Sequence, residues 1–257
     1  MKIIFIGSGN LATRLSLEMH RAGMTIGQVY SRTEEHAAQL AGMLNAAWTS
    51  SIGEIQEDAD LYVFSVRDAV LNDILKEMKP NKGLWVHTAG SLPMDIFRPY
   101  TERYGVFYPL QTFSKGREVA FGEIPFFLET IRKEDEPFLH NLASALSGNV
   151  QFLSSEKRKT VHLAAVFACN FTNHMYAIAA RLLEAQGISF KALLPLIEET
   201  ASKIEEMPPS QAQTGPAVRY DKNIIQAQAD QLEDETWKEI YLLISQNIHK
   251  ETNNESH

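Results

Sequence analysis

The feature that most constrains this chain lies in its first two dozen residues, KIIFIGSGNLATRLSLEMHRAG, Lys2 to Gly23. Ile3 to Ile6 has the pattern of a buried strand, and Leu11, Leu15, Met19 and Ala22 recur at helical spacing up to a stop at Gly23. Between them stands Gly7-x-Gly9-x-x-Ala12. In a strand-turn-helix unit the first glycine permits the tight turn, the second lets the backbone approach a pyrophosphate, and the small third residue lets helix and strand pack closely. The helix N-terminus then turns unpaired N–H groups and a partial positive charge toward the phosphates. Gly-x-Gly turns also arise for purely steric reasons, so the weight rests on context: a strand before, a helix after and a second strand next.

That second strand, Thr25 to Tyr30, runs into Ser31, Arg32 and Thr33. A site that prefers NAD places a carboxylate here for the adenosine ribose hydroxyls, whereas a phosphorylated ribose calls for a cation. An arginine between two hydroxyls is a suitable phosphate clamp, because the guanidinium binds phosphate oxygens through parallel charge-assisted bonds. The expected cofactor is therefore NADP. The same three residues also suit a solvated turn with Thr33 as a helix N-cap, and the two readings are compatible.

The first 153 residues alternate strand and helix patterns, which implies an α/β domain with a doubly wound, mostly parallel sheet. Helices are expected at Glu34 to Leu44, Ala69 to Met78 and Glu134 to Leu146. Further strands are expected at Leu61 to Val66, Leu84 to His87, Gly105 to Tyr108, Phe126 to Glu129 and Gln151 to Leu153. After Ser154 only helical patterns remain: Glu156 to Gln186, Ser189 to Glu205 and two stretches from Asp221 to His249. Met207-Pro208-Pro209-Ser210 breaks the run, and the polar tail from Lys250 is expected to fray. The division is thus 1–153, a dinucleotide-binding Rossmann domain, and 154–257, an all-α domain.

Composition excludes some classes. A formal net charge of -8 argues against nucleic acid, which selects a basic face. No stretch of 18 apolar residues is free of polar ones, and the chain enters a strand at once, so neither a membrane span nor a leader is expected. The single cysteine, Cys169, cannot close an internal disulfide, and no Cys/His cluster has metal-ligand spacing; a cytoplasmic protein without a metal is expected.

In open parallel sheets ligands bind outside the carboxyl ends of the strands, near the point where strand order reverses. The tips Phe64-Ser65-Val66-Arg67-Asp68 and His87-Thr88-Ala89-Gly90-Ser91 therefore flank the expected cofactor. Ser65 and Val66 offer backbone groups to a ribose, and Gly90 permits a close approach or a positive φ. His87 is either a proton donor near the nicotinamide or a structural histidine bonded to a loop carbonyl. The segment Val161 to Leu183 is apolar on nearly every face, so burial all round is expected, either centrally in its domain or against a second subunit. Its polar exceptions include His162 and Asn170, which in a regular helix lie about 12 Å apart along the axis and roughly 80° in azimuth. They line one cleft or are paired within the core.

The segments GSGNLA, HTAGS, FYPLQTFS, AAVFACNF and TGPAVRYDKN together resemble the uncharacterised Rossmann-like NADP oxidoreductases whose helical C-terminal half is a domain of unknown function. That family is distantly similar to pyrroline-5-carboxylate reductase, ketopantoate reductase and the 6-phosphogluconate dehydrogenase superfamily. The resemblance covers nearly the whole chain. It implies a Rossmann domain, a helical domain for substrate and homodimerisation, and a substrate cleft between them. It places the cofactor loop on Gly7, Ser8, Gly9, Asn10, Leu11 and Ala12, with Ser31 and Arg32 at the adenosine ribose. It places cleft positions at His87, Thr88, Gly90, Pro109, Gln111, His162, Asn170, Thr214, Gly215, Pro216, Arg219 and Asp221. The hydroxyacid dehydrogenases of the superfamily carry a lysine one helical turn before the cleft asparagine; Val166 and Phe167 stand there in this chain, so lysine-assisted alcohol oxidation does not transfer.

Two functional readings follow. One is an NADPH-dependent reductase of a carbonyl or imine in a small, anionic metabolite. Asn170 then orients the substrate, His87 or His162 supplies a proton, and Arg219, with Thr214, Gly215 and Asp221, meets a substrate carboxylate. The other is a non-catalytic NADP(H)-binding redox sensor or scaffold; fold alone does not choose between them.

Overall fold

The structure is a computed structural model that describes residues 1–254. Among the described residues there are eight strands: β1 (Lys2–Ile6), β2 (Thr25–Tyr30), β3 (Ala47–Thr49), β4 (Leu61–Phe64), β5 (Leu84–His87), β6 (Tyr104–Pro109), β7 (Phe126–Thr130) and β8 (Val150–Phe152). The helices are α1 (Asn10–Arg21), α2 (Glu34–Leu44), α3 (Asp68–Glu77), α4 (Glu136–Ser144), α5 (Ser155–Ala165), α6 (Thr172–Glu184), α7 (Leu194–Glu206), α8 (Pro209–Ala212), α9 (Pro216–Arg219), α10 (Lys222–Ala229) and α11 (Glu235–Asn254). They form two compact units, Met1–Cys169 and Asn170 onward.

The first unit is an α/β Rossmann-like fold. Its sheet has the order β3-β2-β1-β4-β5-β6-β7-β8, and all neighbours are parallel except β6 and β7. The order reverses at β1 and β4, so the carboxyl ends of those strands open the crevice that ligands use in such sheets. Strand residues alternate between the two faces. Ile3 and Phe5 pack with Leu15, Met19 and Leu40 from α1 and α2, while Ile4 and Ile6 pack with Leu71, Leu75 and Phe97 on the other side. Covered on both faces, the central strands β1, β4 and β5 are apolar but for Lys2 and His87 at their ends, which is why their sequences read as near-continuous runs.

The three-residue β3 has no pattern long enough to be read from sequence. The antiparallel turn of β7 is likewise a tertiary outcome. The division of the chain also falls later than the end of the strand patterns, inside the helical run, because α5 is tied to the sheet: buried Arg158 meets Glu129 of β7 at 2.5 Å and donates to the Leu92 carbonyl.

The helical part of the chain after β8 differs from expectation in three respects. Glu156 to Gln186 is not one regular helix, since a π-helical turn at Val166–Phe171 separates α5 from α6 and interrupts the register assumed between His162 and Asn170. No residue from Val161 to Leu183 is buried, so the segment is not the centre of its own domain. Finally, α11 continues through Lys250 to Asn254, where fraying was expected, and the last three residues of the tail lie outside the described residues. Among the described residues no helix is long and apolar enough to cross a membrane.

Candidate functional site

The site starts at the end of β1. Gly7 has φ +122° and donates its N–H to the Tyr30 carbonyl at 2.8 Å. A Cβ there would run into the Ser65 carbonyl, so only glycine permits β1 and β4 to turn out of the sheet this closely. Gly9 is the N-cap of α1 with open space around it, no side chain caps the helix, and no acidic residue stands in its first turn. The first N–H groups of α1 are thus left for an anion. Ala12 is fully buried against the sheet, as the small third position requires.

A cleft of about 470 Å³ opens beside this turn, lined by Gly7, Ser8, Gly9, Tyr30, Ser31, Arg32, Thr33, Ser65, Val66 and Arg67, with Asp73 and Glu77 from α3. Ser8 and Ser31 are joined hydroxyl to hydroxyl at 2.8 Å, which ties the glycine turn to the end of β2. Arg32 is exposed and forms no ion pair among the described residues. Thr33 stands at the N-cap of α2, but its hydroxyl caps nothing. Burial and the Glu77 charge raise the Tyr30 phenol, opposed by Arg32, so the cleft carries charge of both signs.

A second cleft of about 410 Å³ is lined by Gly9, Asn10, Leu11, Ser65, Val66, Arg67, Asp68, Thr88, Gly90, Ser91, Tyr108, Pro109, Gln111 and His162. The two share Gly9, Ser65, Val66 and Arg67 and so form one groove across the carboxyl edge of the sheet. At its far end the Tyr108 hydroxyl lies 3.0 Å from His162 Nδ1. Ser91 donates to Asp68 at 2.6 Å across the groove wall. The Asn10 side-chain amide donates to the Phe113 carbonyl at 3.1 Å.

Of the two roles open to His87, the structure assigns the structural one, which corrects its candidacy as a proton donor. It is 1% exposed, its Nε2 lies 3.3 Å from the Pro93 carbonyl, and its Nδ1 accepts the Ala89 N–H at 3.2 Å. Burial, with Arg158 nearby, lowers its pKa to about 3. A ring held neutral with both nitrogens engaged has no proton to give. Of the two expectations for Gly90, a close approach is the one the structure shows: a Cβ there would lie 2.6 Å from His162 Cγ and Nδ1, so the glycine makes room for an imidazole.

In the second unit, Asn170 is exposed within the π-helical turn. Gly215, φ +103°, caps the start of α9, Tyr220 closes it in the left-handed conformation, and Asp221 opens α10. Thr214 is exposed, and Arg219 pairs with Asp221 at 3.4 Å on the surface. The density of unusual residues in TGPAVRYD thus has a conformational account, three helix boundaries within the seven residues from Gly215 to Asp221.

Sequence reasoning gave Tyr108 no place at the site, and it set Arg67, Asp68 and Ser91 in the strand tips that flank the cofactor without assigning them a role. A signal existed for each, since all stand at the carboxyl ends of β4, β5 or β6, where this sheet topology puts ligands.

A dinucleotide-binding crevice of this kind defines a class, and the comparisons specify it. Residues 2–86 match the family described as NADP oxidoreductase, coenzyme F420-dependent, and residues 124–248 match a domain of unknown function, DUF2520. A solved structure from Bacteroides fragilis, provisionally described as an NADP oxidoreductase, is 49% identical, with a TM-score of 0.91 over 97% of this chain and 98% of that one. The chain belongs to this family of NADP oxidoreductases, in which an NADP-dependent Rossmann unit is joined to a DUF2520 domain. A Thermotoga maritima protein, 24% identical, shares the fold at a TM-score of 0.77, covering 96% of this chain and 99% of its own. An imine reductase from Myxococcus stipitatus, solved with NADP+, is 15% identical, with a TM-score of 0.67 over 99% of this chain and 93% of that one, and shows the fold alone. No curated protein matches the sequence.

Proposed function

We propose that the protein is an NADPH-dependent reductase of a carbonyl or imine in a small anionic metabolite. The observation that carries this reading is the single groove, with a phosphate-ready Arg32 at one end and a histidine-tyrosine pair at the other. The glycine turn that a Cβ would obstruct and the uncapped N-terminus of α1 fit a pyrophosphate. Ser8 and the N–H groups of Asn10, Leu11 and Ala12 hold it; Ser31, Arg32 and Thr33 bind the 2′-phosphate; and Ser65, Val66, Thr88 and Gly90 border the nicotinamide end. The bound cofactor supplies hydride. His162 supplies the proton that the substrate oxygen or nitrogen needs. The anionic class is supported by Arg67, a cationic residue that lines both parts of the groove.

In the second unit Asn170, Thr214, Gly215, Arg219 and Asp221 are the proposed substrate-facing residues, on the strength of the family resemblance. We further propose a cytoplasmic homodimer joined through the helices, because Leu182, Leu194, Leu196, Ile204 and Leu243 are all exposed in the single chain, and a second copy is the occupant that covers them. Sedimentation at micromolar concentration is expected to give twice the 28.9 kDa chain mass, and a soluble monomer counts against it.

The functional test is NADPH consumption over a panel of small keto acids, aldehydes and imines, with NADPH binding measured in parallel. Turnover of at least one anionic member is expected. Tight NADPH binding with a silent panel overturns the reductase reading in favour of a sensor.

A further inference from the structure

The imidazole of His162 is held from two sides, by the Tyr108 phenol and by the backbone at Gly90. Tyr108 Oη lies 3.0 Å from Nδ1, the rings meet edge to face at 6.0 Å between centroids, and Gly90 leaves the ring the space a Cβ would fill. Nε2 forms no hydrogen bond among the described residues, and the ring lines the groove. Which nitrogen of a neutral histidine carries the proton is set by the bond the other makes.

Resting on the reductase reading, we infer that Tyr108 is a positioning residue: its oxygen accepts a hydrogen bond from His162 Nδ1–H, which fixes the ring and reserves Nε2 as the position that gives a proton to the substrate. The step balances with one moving proton. As hydride adds to carbon, the π pair of the C=O or C=N bond moves to the heteroatom, which takes the Nε2 proton of the imidazolium. A neutral ring with Nδ1–H is left, and water reloads Nε2. The phenol suits the role: burial pushes its pKa up to about 12 against the pull of Arg158, so it stays neutral across the working range.

The test needs no substrate. Long-range 1H–15N spectra of histidine-labelled protein, recorded where the ring is neutral, should show His162 in the Nδ1–H form, and Tyr108→Phe should convert it to the Nε2–H form or a mixture. Gly90→Ala, which pushes on the ring from the other side, should also lose the Nδ1–H signal and serves if Tyr108→Phe fails to fold. An Nε2–H ring in the unmodified protein, or a tautomer indifferent to both substitutions, overturns the inference. With a substrate from the panel, Tyr108→Phe should lower kcat at least about tenfold, with NADPH affinity and melting temperature unchanged; an unchanged kcat also overturns it. A silent panel refutes the reductase reading alone, because the tautomer measurement still decides what Tyr108 does.

Discussion

The two units of the chain bury their residues very differently. In the first, β1, β4 and β5 are buried along almost their whole length, and even charged Arg158 is fully enclosed. In the second, only Ala217, Ile225, Ala229 and Ser245 are buried among the described residues, while leucines and isoleucines stand exposed on α7 and α11. A sheet covered on both faces closes its own core; helices that pack on few small residues leave apolar surface for something else to cover. The contrast teaches that stability resides chiefly in the Rossmann unit. The helical unit leaves apolar side chains on its surface, as the proposed homodimer requires.

Four measurements probe that contrast. Arg158→Met leaves Glu129, 14% exposed, without its partner at 2.5 Å, and is expected to cost about 3–5 kcal/mol in urea unfolding; a loss below about 1 kcal/mol would mean the first unit is not held by its interior. Arg32→Ala, on the rim of the same unit, should remove about 1.5–3 kcal/mol of preference for NADPH over NADH without altering the melting temperature. Equal affinities of the unmodified protein for the two nucleotides sink the assignment of Arg32 to the 2′-phosphate.

The third measurement is of pH dependence. The unfolded chain protonates His87 near the ordinary 6.5, whereas the native ring resists until about 3. The native state therefore binds fewer protons in that window, and stability falls as pH drops through it, by about 1.4 kcal/mol per pH unit. His87→Asn should flatten this slope between pH 6.5 and 5; an identical slope shows that the buried histidine is not its source. The smallest effect belongs to the second unit. Lys203 and Glu199 of α7 lie 3.5 Å apart on the surface, and Glu199→Gln is expected to change stability by no more than about 0.5 kcal/mol.

Much of this was legible in the sequence. The strand, the two glycines and the amphipathic helix at Lys2–Gly23 define a dinucleotide turn because their requirements are local: a positive φ at Gly7, a bare N-cap at Gly9 and a small residue at Ala12. Ser31 and Arg32 were placed by the same logic, one strand further on. Even the helix Glu34–Leu44 was legible to its ends, since its apolar period is written along the chain; the structure adds that Asn45 closes it in the left-handed conformation. What tertiary structure alone decided is which distant residues meet. His87 and His162 are equivalent as letters, yet one lies in the sheet core with both nitrogens bonded to backbone, and the other stands at the groove against Tyr108, 54 residues away in sequence. Gly90 reads as a place for a close approach, and only the fold shows that an imidazole makes it. Sequence periodicity reports which face of an element is buried. It does not report what lies against that face, because the partner arrives through chain closure, and its distance, dielectric surroundings and hydrogen bonds set the chemistry of the group it touches.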